Sequence, residues 1–101
     1  MYEVIYLEEV ESDIIVAKQW YAEQQYGLDV RFSGSVKKAI EKLLKMPSMY
    51  SVRYKNVRIA HTEIFPYNIH YYIDEANSTV VIIGIIHNKR KEALFLDRYK
   101  A

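Results

Sequence analysis

The apolar positions near the start of the chain follow first a period of two and then a helical period. The alternation over residues 2–7 predicts a short strand. From about Val10 the apolar residues recur every three or four positions, which predicts a helix over about 10–26. Gly27 is its natural end, because glycine tolerates the left-handed conformation that terminates helices. The apolar stripe of this helix consists of Val10, Ile14, Ala17 and Tyr21.

A second helical pattern extends over residues 28–46. Charged side chains occupy its polar face, and Met46-Pro47 ends it, since proline disfavours helical geometry in the residue before it. The connection through Gly27 is short, so the two helices should form an antiparallel hairpin. The apolar stripe of the second helix consists of Leu28, Phe32, Val36, Ile40, Leu43 and Leu44.

Three strand-like segments follow, at about 57–64, 67–74 and 79–87, with residues 48–56 interpreted as a polar connection. Short connections favour antiparallel neighbours. Residues 80–86 are apolar on both parities, as in a central strand covered on both faces. We therefore expect four members of this strand to be among the most buried residues, namely Val80, Ile82, Ile83 and Ile85.

The element order β-α-α-β-β-β predicts an α+β fold, with the helix hairpin on one face of a mostly antiparallel sheet and a short helix or tail at about 91–99. The 101 residues suit a single domain, 1–101. The chain has no cysteine, which excludes disulfides and thiolate zinc sites. Its longest apolar run is too short to span a membrane, and no secretory signal is visible, so we expect a cytoplasmic protein without membrane contact.

The net charge of +1 conceals a strong asymmetry along the chain. Residues 1–30 contain seven acidic side chains and one basic one, a balance of −6. Residues 31–60 contain eight basic side chains and one acidic one, a balance of +7. Two interpretations follow: the helices attract each other, or one basic face is directed at an acidic partner.

The candidate chemistry is cationic rather than metal-dependent. Three isolated histidines and scattered glycines form neither a metal-ligand pattern nor a phosphate loop, so no metal or cofactor is expected. Basic side chains and histidines instead collect on or just beyond the predicted strands. Such groups can neutralise a phosphate and move a proton in RNA cleavage, but they can equally hold an acidic partner or end a strand. These residues are Arg58, His61, His87, Lys89 and Arg90.

Two neighbouring aromatic residues on the first helix, Trp20 and Tyr21, point about 100° apart. One should face the core, and the other should lie at the rim of the sheet or contact a partner.

Several segments together resemble the RelE/ParE superfamily of bacterial toxins from type II toxin–antitoxin systems, often described as plasmid stabilisation proteins. They are Trp20-Tyr21 followed by Gly27-Leu28, the stretch from Arg58 through 65–71 (FPYNIHY), and His87-Asn88-Lys89-Arg90. The resemblance implies two helices on a curved antiparallel sheet and a cognate antitoxin that wraps and blocks the toxin. The candidate residues for binding a partner are Trp20, Arg58, His87, Lys89, Arg90 and Phe95.

The resemblance implies one of two mechanisms. RelE-like members cleave messenger RNA on the ribosome with basic strand residues and often a C-terminal tyrosine, whereas ParE-like members act on DNA gyrase without chemistry of their own. Here Asn68 stands where the ribonuclease branch commonly carries arginine, and the C-terminal segment offers Phe95, with Tyr99 further on. Catalytic candidates for cleavage are Arg58, His61, His87 and Arg90.

We favour the ParE-like interpretation, in part because a net charge of +1 is low for a ribosome-directed protein. The ribonuclease and a non-toxic binding module are the alternatives. The resemblance leaves homodimerisation open, and no sequence-specific DNA binding is expected of the toxin itself.

Overall fold

The computed structural model describes residues 2–90 and Arg98, which form two α-helices and one five-stranded sheet. The elements are β1 (Glu3–Tyr6), α1 (Glu8–Gln24), α2 (Leu28–Lys45), β2 (Val52–Tyr54), β3 (Val57–His61), β4 (Tyr67–Asp74) and β5 (Thr79–His87), with 3₁₀ turns at Pro47–Met49 and Glu75–Asn77. The strand order is β1-β5-β4-β3-β2, with β1 parallel to β5 and the other pairs antiparallel. The predicted α+β class and helix hairpin are confirmed.

The helices follow their sequence patterns closely. Acidic residues occupy the first turn of α1 and basic residues the last turn of α2, where each complements the helix dipole. Gly27 has φ +83° and connects the helices, as its freedom from Cβ sterics allows. On α1, Tyr21 is the core residue of the aromatic pair: its ring stacks on Phe32 at 5.2 Å and meets Phe65 edge-on at 4.9 Å.

The main core lies between the helix hairpin and the sheet. It includes Val10 and Ala17 of α1, the stripe of α2, and Val80, Ile82 and Ile85 of β5. A smaller cluster of Val57, Val81 and Ile83 packs with Leu7, Tyr54 and Tyr72. Thr79 through Ile86 are all buried, which confirms the central position of β5.

A β-bulge explains why β5 contributes Val80, Ile82 and then Ile85 to the same core cluster. In the pairing with β4, His70 lies opposite Gly84 but Tyr71 lies opposite Ile82, so Ile83 is an extra residue. Such an insertion changes which parity faces each side of the sheet. The alternation expected from an unbroken strand therefore shifts by one residue after Ile83.

The segment 48–56 is not only a connection, because it contains the short strand β2. β2 pairs antiparallel with β3 through a tight turn in which Lys55 has φ +49°. With three largely exposed residues it lacks the apolar alternation that marks a strand. β3 also ends at His61 rather than at residue 64. The predicted helix or tail at 91–99 lies outside the described residues, apart from Arg98.

Candidate functional site

The end of β5 forms a small cleft against the middle of α1. The cleft has a volume of about 190 Å³ and contains three polar side chains from the sheet side, Tyr67, His87 and Arg90. Its α1 wall includes Asp13 and Val16. Two of the residues singled out from the sequence, His87 and Arg90, thus lie together in one concave site.

His87 is held in a defined orientation. It lies opposite Tyr67 in the β4–β5 ladder, and the two rings meet edge-on with centroids 5.3 Å apart. The backbone N–H of Lys89 donates to His87 Nδ1 at 3.1 Å. Because Nδ1 accepts this bond, a neutral ring carries its proton on Nε2. His87 therefore presents Nε2–H as a donor, rather than a free basic nitrogen.

Arg90 follows in a tight turn, in which its N–H donates to the His87 carbonyl at 3.0 Å. Its guanidinium lies close enough to Tyr67 to oppose the effect of burial on that phenol. Burial raises the Tyr67 pKa, Arg90 lowers it and Asp13 raises it, with a net upward shift. The Tyr67 hydroxyl therefore stays protonated at neutral pH and acts as a hydrogen-bonding group.

Asp13 is the acidic member of the cleft, and its carboxylate is already engaged. Asp13 Oδ2 accepts from Arg98 Nη1 at 2.7 Å and from the Ile85 N–H at 3.1 Å. Sequence analysis did not select Asp13. Its position in the helical pattern could have indicated it. Asp13 lies three residues after Val10 and four before Ala17, so it is a carboxylate on the buried stripe of α1.

His61 lies near the same end of the sheet but on β3. Its Nδ1 is 2.7 Å from Asn68 Oδ1, on the neighbouring strand. Two strand spacings, about 10 Å, separate His61 from β5. The side chain of Asn68, where the RelE-like pattern has arginine, is thus bonded to a histidine and supplies no positive charge.

Arg58 is placed far from this end. It lies opposite Tyr71 on β4, whereas His87 lies opposite Tyr67, four residues along the same strand. Four residues of strand and two strand spacings give offsets of about 13 Å and 10 Å. Arg58 Nη1 donates to the Ser48 carbonyl at 3.3 Å and to that of Tyr50. The guanidinium is used to fix the segment after α2.

The other partner-binding candidates are dispersed. Lys89 is exposed in the turn beyond β5. Trp20 is 55% exposed on α1, one helical turn after Val16 of the cleft wall. Phe95 lies outside the described residues. Within residues 2–90 and Arg98, no group of three or more His, Asp or Glu side chains is arranged to hold a metal ion, and no helix is long and apolar enough to cross a membrane.

A family model described as the ParE toxin of type II toxin–antitoxin systems, parDE, matches residues 4–92. The chain belongs to this toxin family. The match covers both helices and all five strands apart from Glu3, the first residue of β1, and it includes the cleft residues from Asp13 to Arg90.

The fold of the toxin is shared with two solved structures. A chain of the chromosomal ParDE system from P. aeruginosa superposes with a TM-score of 0.71 at 13% identity, covering 86% of this chain and 96% of that chain. The isolated E. coli RelE toxin superposes with a TM-score of 0.64 at 16% identity, covering 93% and 92%. No curated protein sequence matches this toxin. These likenesses establish the RelE/ParE fold.

Proposed function

We propose that this toxin arrests growth by binding an intracellular protein target, DNA gyrase, without catalysing a reaction, and that a cognate antitoxin neutralises it in the cytoplasm. The observation that carries the non-catalytic part is the separation of Arg58 from His87 and Arg90. Cleavage of RNA needs a base, an acid and cations around one phosphate. Arg58 is bound to backbone carbonyls elsewhere, so it does not contribute to such a site.

The remaining cleft supports binding better than cleavage. Within it, His87 presents a donor and Tyr67 stays protonated. Asn68, which is bonded to His61 outside the cleft, supplies no positive charge. Loss of one preorganised stabilising group typically costs about 10²–10³ in rate. Arg90 is exposed and adds a positive charge to the cleft, which can attract a polar or acidic group of a protein partner.

Messenger RNA cleavage is the second candidate, because His87 and Arg90 do share one cleft. Two assays of the purified toxin distinguish gyrase binding from RNA cleavage. One measures DNA supercoiling by gyrase in the presence of the toxin. The other incubates the toxin with programmed ribosomes and maps the 5′ ends of the message. We expect inhibited supercoiling and an intact message. Codon-specific cuts in the ribosomal A site that vanish in Arg90→Ala would establish the ribonuclease instead.

We assign antitoxin binding to the apolar groove between β1 and the helix hairpin. Its volume is about 410 Å³, and the charged residues Lys37 and Glu41 of α2 are part of its lining. β1 is the edge strand of the sheet, so its outer side can accept an added strand. The apolar lining consists of Val4, Tyr6, Ile14, Val36, Ile40 and Leu44.

Two neighbouring residues of β1 provide a matched test of this assignment. Tyr6 and Ile5 are 49% and 53% exposed, and only Tyr6 lines the groove. Tyr6→Ala should weaken co-purification with the product of the neighbouring antitoxin gene, whereas Ile5→Ala should not. Equal effects of the two substitutions on co-purification would contradict the assignment of antitoxin binding to this groove.

A further inference from the structure

The β3–β4 loop, residues 62–66, presents an apolar side chain to solvent from a strained backbone. Ile64 is 83% exposed and has φ +76°. A β-branched residue in the left-handed region is a clear outlier, because its Cβ crowds the following carbonyl. Burial does not compensate this strain, since the side chain lies almost entirely in water.

The rest of the loop is held tightly and maintains the strained conformation. Thr62 Oγ1 lies 2.8 Å from the Phe65 carbonyl and 3.1 Å from that of Tyr67. The Tyr67 N–H donates to the Phe65 carbonyl at 2.8 Å, and Ser35 Oγ of α2 donates to the Glu63 carbonyl at 2.7 Å.

The ring of Phe65, 7% exposed, anchors the loop in the aromatic core against Tyr21 and Phe32. Ile64 is therefore the tip of a rigid projection. Strain that is held in place by its surroundings in this way is concentrated at functional sites.

A cationic cavity adjoins the tip. The cavity has a volume of about 230 Å³ and includes Ser35 and Glu63 of the loop contact, together with Lys38, Lys42 and His61. Lys38 and Lys42 are one helical turn apart and are both exposed. Over the described ranges, 2–90 and Arg98, neither lysine forms an ion pair. Their charges are thus available to an acidic partner.

This surface is separate from the antitoxin groove. Lys37 and Glu41 of α2 line the groove, whereas Lys38 and Lys42 line the cavity. Three strand spacings, about 14 Å, separate β1 from β3 within the sheet. A partner at Ile64 and an antitoxin at β1 can therefore bind different sides of α2.

We propose that Ile64, with Lys38 and Lys42, is a second surface, in addition to the cleft at Arg90, by which this toxin grips its target protein. The complementary surface is an apolar socket that accepts the isoleucine side chain, with carboxylates beside it. This inference rests on the proposed function in that the target is a protein. The strain is retained because glycine, which suits the backbone better, has no side chain to insert.

The test uses a substitution that improves the fold while removing the contact. Ile64→Gly should raise the thermal midpoint of unfolding, because glycine adopts positive φ without strain. The same variant should require at least about tenfold more protein for growth arrest, the factor expected from losing a buried isoleucine at a contact. Its binding to the product of the neighbouring antitoxin gene should be unchanged.

Ser78→Gly is the matched control. Ser78 also has a positive φ, +48°, in the turn before β5, so glycine suits the backbone there without altering the Ile64 surface. It should raise the thermal midpoint and retain full growth arrest. Lys38→Glu with Lys42→Glu should reduce growth arrest as Ile64→Gly does.

If Ile64→Gly arrested growth at the same expression level as the wild-type toxin, the inference would be wrong. Loss of antitoxin binding in this variant would also contradict it, because the antitoxin would then contact the loop. A wild-type chain that does not arrest growth contradicts the proposed function itself. If wild-type toxin arrests growth but leaves purified gyrase uninhibited, the gyrase assignment fails, while the effect of Ile64→Gly on growth still tests the surface.

Discussion

Asp13 on α1 and Arg98 near the C-terminus form a two-point ion pair, with Oδ2–Nη1 at 2.7 Å and Oδ1–Nη2 at 3.2 Å. The pair lies beside β5, just beyond the point where β1 stops pairing with it at Ile82. Asp13 accepts from the Ile85 N–H, and Arg98 Nη1 donates to the Ile83 carbonyl at 3.2 Å. Two side chains therefore satisfy the stretch of strand edge that β1 does not cover.

We expect Asp13→Ala to lower the free energy of unfolding by about 1.5–3 kcal/mol, the usual range for hydrogen bonds to charged groups. The substitution leaves both the Arg98 guanidinium and the Ile85 N–H without this acceptor. A double-mutant cycle with Arg98→Met, measured by urea unfolding, should give a coupling energy above about 0.5 kcal/mol. Strict additivity would show that the pair does not act as a unit.

The central strand gives a second stability prediction. Ile83 is fully buried with Val57 and Val81, so Ile83→Ala should cost about 2–5 kcal/mol. Val16→Ala is a control, because Val16 is 66% exposed, and its effect should stay within about 0.5 kcal/mol. Chemical denaturation of the two variants checks this. A loss for Ile83→Ala no larger than that for Val16→Ala would contradict its place in the core.

The sequence predicted those parts of the fold that depend on long, regular patterns. The stripe of α2 and the doubly apolar run of β5 place their own residues in the core. β2 has no such pattern, since its position depends on pairing with β3. The bulge at Ile83 likewise depends on the pairing with β4, so the local pattern of apolar residues does not predict it.

The candidate site was predictable only in part, for a related reason. His87 and Arg90 are close in sequence, so one turn brings both to the cleft. The direction of the Arg58 side chain instead depends on the carbonyls of Ser48 and Tyr50, which fold back on it. The contact of Asp13 with Arg98 joins residues 85 positions apart, which a local pattern does not encode.

His70 predicts a pH dependence of stability. It is 3% exposed on β4, and its Nδ1 lies 2.9 Å from the Tyr54 hydroxyl. Burial lowers the His70 pKa to about 4, with Arg53 and Arg98 acting in the same direction and Asp13 against them. The folded state therefore resists a proton that the unfolded state accepts below about pH 6.5.

Because the unfolded chain binds more protons in that window, the free energy of unfolding should fall as the pH drops from about 6.5 to about 4. The contribution of one site has a slope of at most about 1.4 kcal/mol per pH unit. His70→Gln should remove this part of the dependence, whereas His61→Gln, an exposed histidine on β3, serves as the control. Identical pH profiles for wild type and His70→Gln would refute the assignment.

Arg58 and Arg90 are both cationic candidates from the sequence, but their surroundings in the structure predict different effects of substitution on stability and on growth arrest. Arg58 is half-buried and bonds the carbonyls of Ser48 and Tyr50, so Arg58→Ala should lower stability by about 1.5–3 kcal/mol. Arg90 is exposed at the cleft, so Arg90→Ala should cost less than about 1 kcal/mol.

Growth arrest should respond in the reverse order. At a temperature where both variants are folded by circular dichroism, Arg90→Ala should weaken growth arrest, because the cleft loses its cation. Arg58→Ala should retain arrest, because its guanidinium faces the chain's own backbone. If Arg58→Ala abolished growth arrest while the variant remained folded, Arg58 would contact the target directly. The separation of Arg58 from His87 and Arg90 would then no longer argue against catalysis.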